Sequence, residues 1–229
     1  MPTDDQTLAE LGPFFALGQV TASGAWRPLR DLLDGATLDE RVTHVRTVLS
    51  MMAGADVQLR VAASTMSLGL FARLVSPVFG AVALGLAVPR PSLDGAWWQP
   101  VDRGPWSLAL TGPALEPDAA GLLTDVVRPI AEALAGRYSL SMRILWGNAA
   151  SAVFGAAGMV CSARPELSTV AGDIATTLLS GPLVGTGELR ESVGDPASGV
   201  VQQFVRASCC LYYRIPGGGY CGDCVLAHR

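Results

Sequence analysis

The sequence predicts a mainly α protein of the α+β class, with a small β-hairpin near residues 96–111 and a cysteine-rich C-terminal segment. Three observations support this prediction. Apolar residues recur at helical spacing over several long stretches, half of the 229 residues are hydrophobic while only 16% are charged, and four of the five cysteines lie after residue 208. We therefore expect a mainly helical body over residues 1–199, with a C-terminal segment, residues 200–229, packed on it.

The charge balance and the N-terminus limit the classes of function. The net charge is −4 and the isoelectric point is about 5.1, which argues against a nucleic-acid partner because such proteins usually present a basic face. All sixteen basic residues are arginine, which we interpret as a compositional bias. Residues 1–6 are polar and acidic, and they lack the basic start and apolar run of a secretory signal. We therefore expect a cytoplasmic protein whose thiols stay reduced.

The first part of the chain predicts two helices and a turn between them. Residues 4–16 have an acidic start and apolar positions on one side, and residues 27–34 make a helical turn or two. Thr37 is followed three residues later by Glu40, which fits a capping box, and the helix that starts there runs to about Ala53. Two polar residues lie away from the apolar stripe of this helix: Arg41 and His44.

The next helix is long and contains an uncharged run. Asp56 opens it, and Pro77 is expected to kink or restart the chain. The uncharged residues 74–89 would span roughly 24 Å as a helix, short of a hydrocarbon core of about 30 Å. We therefore expect a buried core helix here.

Residues 90–113 are rich in proline, glycine and tryptophan and predict the β-hairpin. Two extended runs, 96–101 and 106–111, flank a turn at residues 102–105. Three tryptophans of this region are either part of a ligand cleft or ordinary hairpin packing: Trp97, Trp98 and Trp106.

The second half of the body predicts three further helices. One begins at Pro117 or Asp118, bends at Pro129 and ends near Ala135. Residues 144–163 carry no charge and are long enough to span a membrane, but they contain small and polar residues in place of leucine and isoleucine. Small residues at four-residue steps let another helix approach closely, so we expect a buried helix of a soluble fold.

The sequence thus predicts no integral membrane segment. A further helix ends near residue 180, and residues 181–199, rich in glycine, proline, serine and threonine, are expected to form a linker. Residues 200–208 are expected to form a short helix or a strand that leads into the cysteines.

Four cysteines in the tail carry the chemistry. Cys209, Cys210, Cys221 and Cys224 have the spacing C-C-x10-C-x2-C, which admits two disulfides, one zinc ion or an iron–sulfur cluster. A reducing compartment disfavours disulfides. Cys221 and Cys224 form a zinc-knuckle pair, but neighbouring side chains of an extended chain point to opposite faces, which makes Cys209-Cys210 a poor second pair. The spacing therefore prefers a two-iron cluster to zinc, and zinc stays open.

The residues between the cysteine pairs suggest how a cluster would be supported. Gly217–Gly219 can adopt positive φ and bring backbone N–H groups close to sulfur. Arg206 and Arg214 would add positive charge. Three tyrosines would shield the cluster or simply pack: Tyr212, Tyr213 and Tyr220.

The tail resembles the C-terminus of the FhuF-type ferric siderophore reductases, a family marked by C-C-x10-C-x2-C. Residues 143–148, R-I-L-W-G-N, resemble a Trp-Gly-Asn stretch upstream in those proteins. The resemblance implies a cytoplasmic 2Fe–2S protein that gives one electron to a ferric siderophore, and the siderophores of that family are commonly hydroxamates. Hydroxamate oxygens are hard ligands that hold Fe(III) far better than Fe(II), so reduction releases the iron.

The resemblance also implies a role for each residue. The four tail cysteines would ligate the cluster, and the helical body would form the docking surface for the siderophore. Trp146 and Asn148 are candidates for that surface or for its support, with a core role as the alternative. Cys161 is expected to be a buried free thiol, and His228 is not needed as a ligand because four thiols are available.

The partners implied are a ferric siderophore and an electron donor, which would be a ferredoxin, a flavoprotein or a small reductant. Peripheral contact with the inner face of the membrane stays open. Two alternatives remain: a 2Fe–2S electron carrier or redox sensor, and a zinc-stabilised siderophore-binding protein without redox activity. The large apolar body favours the reductase, because a small carrier does not need it. No Ser-His-Asp or carboxylate cluster stands out elsewhere.

Overall fold

The computed structural model describes residues 4–22, 24–101, 104–193 and 200–227. Within them the helices are α1 (Asp4–Ala9), α2 (Gly35–Ala53), α3 (Leu59–Leu84), α4 (Ala119–Leu122), α5 (Arg128–Tyr138), α6 (Met142–Ala163) and α7 (Ser168–Ser180). The strands are β1 (Arg27–Pro28), β2 (Val88–Pro89), β3 (Ala96–Gln99), β4 (Ser107–Leu110), β5 (Ala114–Leu115), β6 (Gly187–Val193) and β7 (Val200–Arg206). The predicted fold class, mainly α with small sheets, is confirmed.

Two long helices form the centre of the fold. α3 and α6 make the most extensive helix–helix contact of the described residues. Leu145, Ala149 and Val153 of α6 are fully buried at four-residue steps. By length and apolar composition alone both helices could cross a membrane, and 72% and 56% of their most apolar stretches are buried inside the fold. Core helices of soluble proteins pass the same test, so the finding does not separate the two cases.

The start of α2 differs from the prediction. The helix begins at Gly35, because Asp34 is its N-cap and accepts a hydrogen bond from the Thr37 backbone N–H at 3.1 Å. The capping box predicted for Thr37 and Glu40 is therefore wrong. The predicted end of the helix at Ala53 is confirmed.

α3 also departs from the prediction, because it starts three residues after Asp56 and continues through Pro77 without a break. The proline removes one backbone donor, yet the helix continues past it to Leu84. Arg73, only 3% exposed, donates to the carbonyl oxygens of Phe14 at 2.8 Å and Trp106 at 2.6 Å. These bonds tie α3 to the N-terminal loop and to the hairpin.

Two other helices have different ends from those predicted. α1 stops at Ala9 rather than at residue 16. The stretch around Pro129 continues to Tyr138 rather than ending near Ala135. Pro129 lies in the first turn of α5, where a missing N–H is tolerated, and a π-helical turn at Leu123–Val127 directly precedes it.

The predicted β-hairpin is confirmed, and a third strand extends its sheet. β3 and β4 pair antiparallel, with Ala96 opposite Leu110, and β1 pairs with the other edge of β3 to give the order β1-β3-β4. Asp102 and Arg103 of the expected turn lie outside the described residues. β2 and β5 form a separate two-stranded pair.

A second hairpin carries the tail. β6 and β7 pair antiparallel from Gly187 opposite Arg206 to Val193 opposite Val200. The linker predicted over residues 181–199 is therefore wrong for β6, and the strand alternative predicted for residues 200–208 is confirmed. The expected boundary between residues 199 and 200 falls between these two paired strands.

Candidate metal centre

The four tail cysteines lie where the chain turns back on itself after β7. Leu211, directly after Cys210, has a positive φ of 70°, which is rare for a residue other than glycine. A 3-10 turn at Tyr212–Arg214 follows, and the chain then returns to Cys221. The adjacent cysteines therefore stand at a sharp bend and not in an extended strand, which removes the geometric objection that the sequence raised.

Two of the sulfurs already stand at the spacing of ligands to one metal. Cys210 Sγ and Cys221 Sγ are 3.4 Å apart. Two thiolates on one tetrahedral metal are roughly 3.8 Å apart when each bond is about 2.3 Å long. The Cys221 thiol donates to Cys210, which lowers the pKa of Cys210 to about 6 and raises the pKa of Cys221. At neutral pH the pair thus shares one proton, which a metal must displace because it binds both cysteines as thiolates.

Cys209 and Cys224 are held by the backbone in a repeated manner. Cys209 Sγ accepts a hydrogen bond from the Leu211 N–H at 3.3 Å, and Cys224 Sγ accepts one from the Leu226 N–H at 3.4 Å. Cys210 receives the N–H of Tyr212 in the same way, which helps to lower its pKa. Each donor lies two residues after its cysteine, and such N–H···S bonds stabilise electron-rich sulfur.

The prediction for the glycines between the cysteine pairs is confirmed in part, because Gly217 and Gly219 have positive φ of 75° and 69°. The Gly218 N–H donates to the Ile215 carbonyl oxygen at 2.8 Å and not to sulfur. A Cβ at Gly218 would lie 3.1 Å from that oxygen and 3.2 Å from the Tyr212 carbonyl oxygen. Glycine is needed here because the loop folds tightly against the 3-10 turn.

The four sulfurs differ in which other cysteines lie near them. Burial first, and then the nearby charges of Cys210 and Cys224, raise the pKa of the Cys209 thiol, so Cys224 is an electrostatic neighbour of Cys209 as Cys221 is of Cys210. No three histidine, cysteine, aspartate or glutamate side chains in the described part of the chain gather as ligands of a single metal ion. A two-iron cluster takes its four thiolates two to an iron, and the sulfurs of Cys210 and Cys221 stand close enough to share one iron.

Residues 206–226 match the family model of the FhuF 2Fe-2S C-terminal domain. The match covers the cysteine-containing tail, and we refer to residues 206–226 as the FhuF domain. The resemblance inferred from the cysteine spacing is thereby confirmed for the tail, and the cofactor is a 2Fe–2S cluster. A search of curated proteins found no significant match.

A buried arginine also fits the cluster. Arg206, 1% exposed, opens the FhuF domain, and its charge favours the thiolate forms of Cys209 and Cys210. Its Nη1 is buried and has no hydrogen-bond partner. A buried donor without an acceptor is costly, and a cluster adds electron-rich sulfur beside these cysteines. The prediction that Arg206 supplies positive charge to this site agrees with its position.

The other nitrogens of Arg206 fasten the FhuF domain to the body. Nε donates to the Ser208 carbonyl oxygen at 2.7 Å, and Nη2 donates to Ile144 O at 3.3 Å and to Asn148 Oδ1. A Cβ on Gly147 would lie 2.8 Å from Nη2 and 2.5 Å from Ser208 Oγ. Glycine at 147 is therefore what lets Arg206 reach α6.

Asn148 continues this connection into α3. Its Nδ2 donates to Ser64 O at 3.0 Å and to Ser67 Oγ at 2.7 Å, and Ser64 Oγ in turn donates to the Cys210 carbonyl oxygen at 2.7 Å. Asn148 is fully buried. Of the roles expected for it, the structure shows support of the site and not a surface open to substrate.

Trp146 and Cys161 lie elsewhere on α6. Trp146 is half-buried, lines a cavity of about 270 Å³ and stacks against the Arg128 guanidinium at 5.3 Å. Cys161 is a free thiol that is half-buried rather than fully buried as predicted. His228 lies outside the described residues.

The loop between Cys221 and Cys224 has its own attachment. Ser151 Oγ of α6 donates to the Asp223 carboxylate, and the Gln203 side chain of β7 donates to the Gly222 carbonyl oxygen at 2.8 Å. The Arg206 N–H donates to Asp223 O at 3.1 Å. The second cysteine pair is thus held by α6 and β7, as the first pair is held by α6 and α3.

Proposed function

We propose that this FhuF-like iron–sulfur protein is a ferric siderophore reductase, an oxidoreductase that reduces Fe(III) in a hydroxamate complex and releases Fe(II). The observation that carries the proposal is the FhuF 2Fe-2S match over four free thiols that are fixed to a large helical body. When bound, the cluster supplies one electron at a time. An external donor, a ferredoxin, a flavoprotein or a small reductant, restores that electron.

In this proposal Cys210 and Cys221 ligate one iron, and Cys209 and Cys224 ligate the other. The 3.4 Å separation of the Cys210 and Cys221 sulfurs supports the first pair. The second pair follows from the first, because each iron of the cluster takes two of the four thiolates. The adjacent residues Cys209 and Cys210 then serve different irons.

The residues around the sulfurs set how the site works. The N–H groups of Leu211, Tyr212 and Leu226 favour the more negative, reduced form of a cluster held there. Cys210 and Cys224 are buried, which keeps water away, whereas Cys209 and Cys221 are partly exposed. The partly exposed side is the edge through which we expect electrons to leave.

The proposed location is the cytoplasm, since all five cysteines are free thiols. We also propose that α3 and α6 remain in the core and that contact with a membrane, if any, is peripheral. An electron carrier or redox sensor with the same cluster is the alternative. The zinc-stabilised alternative has no support in the family match, which is to a 2Fe–2S domain.

The test is anaerobic mixing of reduced protein with a ferric trihydroxamate and an Fe(II)-specific chelator. We expect the reduced-cluster spectrum to be bleached to the oxidised form as the chelated Fe(II) appears, one iron for each electron. The Cys161→Ser variant should behave like the wild type, because Cys161 lies in α6 and outside the matched segment. A protein whose cluster reduces normally, but which transfers no electron to any of several ferric hydroxamates, would be a carrier or a sensor.

A further inference from the structure

A cavity of about 710 Å³ lies between α2 and the β-hairpin. Its walls are mostly apolar and include Val48, Met52 and Trp106, with Arg41 and His44 as the charged or titratable residues. This volume is within the range of about 300–1,000 Å³ that is typical of small-molecule sites. The α2 wall of the cavity includes Val48 and Met52, which belong to the apolar stripe of that helix, and also Arg41 and His44, which were predicted to lie away from it.

Arg41 is the unusual residue of this cavity. It is only 5% exposed, and its Nε is buried with no hydrogen-bond partner. Its guanidinium carbon lies 5.1 Å from the Trp106 ring and 5.8 Å from the Trp98 ring, and no carboxylate of the described residues forms an ion pair with it. Burial lowers the pKa of Arg41, as expected for a cation that has lost water without gaining an acceptor.

A second unsatisfied donor belongs to the same aromatic group. Trp98 is 1% exposed, its ring lies 4.9 Å from that of Trp106, and its Nε1 is buried without a partner. Native proteins leave few buried donors unpaired, because each costs about 1–3 kcal/mol. Arg41 lines the cavity itself, and Trp98 lies behind Trp106 in the same aromatic group. The unpaired donor of Arg41 therefore indicates an acceptor that comes from outside the chain.

The cavity adjoins the FhuF domain. Leu49 lines the cavity and also packs against the small hydrophobic cluster of Val57, Val61 and Ile215. Leu211 and Tyr212, which follow Cys210 directly, pack against the same cluster. The cavity wall and the cysteine segment thus pack against one shared hydrophobic cluster.

We propose that this cavity is the binding site for the ferric siderophore, with Arg41 as the residue that contacts its iron-bound oxygens and Trp106 as an apolar wall. A ferric trihydroxamate matches the cavity because it has apolar arms around a compact group of anionic oxygens. This inference rests on the proposed function and gives it a location.

The charge of Arg41 has a role beyond binding. Three singly charged hydroxamates balance Fe(III), so the iron centre of the complex is neutral. Gain of one electron leaves that centre with a net charge of −1. A buried guanidinium close to the oxygens stabilises the reduced state more than the oxidised state, which favours electron transfer.

The experiment uses the holoprotein with its cluster and a gallium(III) trihydroxamate, which has the shape of the iron complex but does not accept an electron. Binding is followed by tryptophan fluorescence, which reports on Trp106. We expect the Arg41→Met variant to bind about 10- to 100-fold more weakly, as for loss of one charge-assisted hydrogen bond. Val48→Trp, which fills the cavity without a change in charge, should also weaken binding. Arg60→Met, at an exposed position of α3, should bind as the wild type does.

A melting curve separates this role from a structural one. Because Arg41 is a buried and unpaired cation, Arg41→Met should melt at a higher temperature than the wild type while it binds more weakly. A lower melting temperature with unchanged binding would overturn the proposal. Equal binding and equal iron reduction by wild type and Arg41→Met would also overturn it and leave the reductase function standing. A wild-type protein that neither binds the gallium complex nor reduces the iron complex would refute both.

Discussion

Gly147 gives the sharpest test of how the FhuF domain is attached to the body. In the Gly147→Ala variant the new Cβ would stand 2.8 Å from Arg206 Nη2 and 2.5 Å from Ser208 Oγ. Arg206 cannot move aside freely, because it is buried and Nη2 donates to both Ile144 and Asn148. The methyl group must therefore displace the guanidinium from its acceptors.

The expected change in the free energy of unfolding of Gly147→Ala is the sum of three contributions. Overpacking costs about 1–3 kcal/mol, and loss of one charge-assisted hydrogen bond costs about 1.5 kcal/mol or more. The higher helix propensity of alanine returns about 1 kcal/mol. The net loss is about 2–3 kcal/mol, which for a chain of this size lowers the melting temperature by roughly 4–12 °C.

Gly155→Ala is the matched control, since Gly155 is in the interior of the same helix, is exposed and has nothing within 4 Å of its added Cβ. It should melt about 2–4 °C higher than the wild type from helix propensity alone. Both holoproteins are heated anaerobically while the cluster absorbance and the circular dichroism are recorded. Gly147→Ala should also release its cluster sooner, because Arg206 holds the Ser208 carbonyl next to Cys209. Similar melting and cluster release in the two alanine variants would refute the account of the attachment.

Three other changes test separate parts of the structure. Serine at either Cys210 or Cys221 should distort the cluster and alter the same iron in the ⁵⁷Fe Mössbauer spectrum, and changes at different irons would disprove the proposed pairing. Asp39→Asn should lower the melting temperature by the same amount at pH 7 and pH 5, because hydrogen bonds from an arginine and a tyrosine hold the carboxyl pKa at about 2. The difference should shrink only as the pH falls from about 4, the unfolded pKa, through 2, and a difference that shrinks above pH 5 would contradict this. Ser64→Ala removes a buried bond to the cysteine segment and should lower the melting temperature by about 2–4 °C, whereas Ser162→Ala, whose hydroxyl bonds only to its own helix, should change it little.

The parts of the fold that could be predicted from the sequence are those with a local signal. The uncharged stretch at 144–163 predicted α6, and the alternation around a turn predicted the β3–β4 hairpin. The N-cap of α2 was harder to predict, because Asp34 and Thr37 are both good N-cap residues. Only the three-dimensional structure shows which of them accepts the capping hydrogen bond. β6 was missed because its stability comes from pairing with β7 and from no pattern of its own.

In the candidate site, too, the features with a local sequence signal could be predicted and those that depend on distant residues could not. The cysteine spacing predicted the cofactor, since ligand positions in a short segment are close in the chain as well as in space. The Trp-Gly-Asn stretch was found in the sequence, but its role depends on Arg206, which is 58 positions away from Asn148. Arg41 was missed altogether: the helical pattern put it on the side away from the apolar stripe, and that side is covered by the tryptophans of the hairpin.

The buried arginines make a final argument for the two ligand sites. Arg73 is only 3% exposed, and its guanidinium is satisfied by backbone carbonyl oxygens of the chain. Among the described residues the buried nitrogens without a partner are Arg41 Nε, Trp98 Nε1 and Arg206 Nη1. A fold that can pair Arg73 so fully has no need to leave these three unpaired for packing reasons. Arg206 stands beside the cysteines, where the cofactor belongs, and the other two donors share one group of aromatic rings at the large cavity. The unpaired donors therefore mark one site for the cofactor and one for a ligand rich in acceptor oxygens.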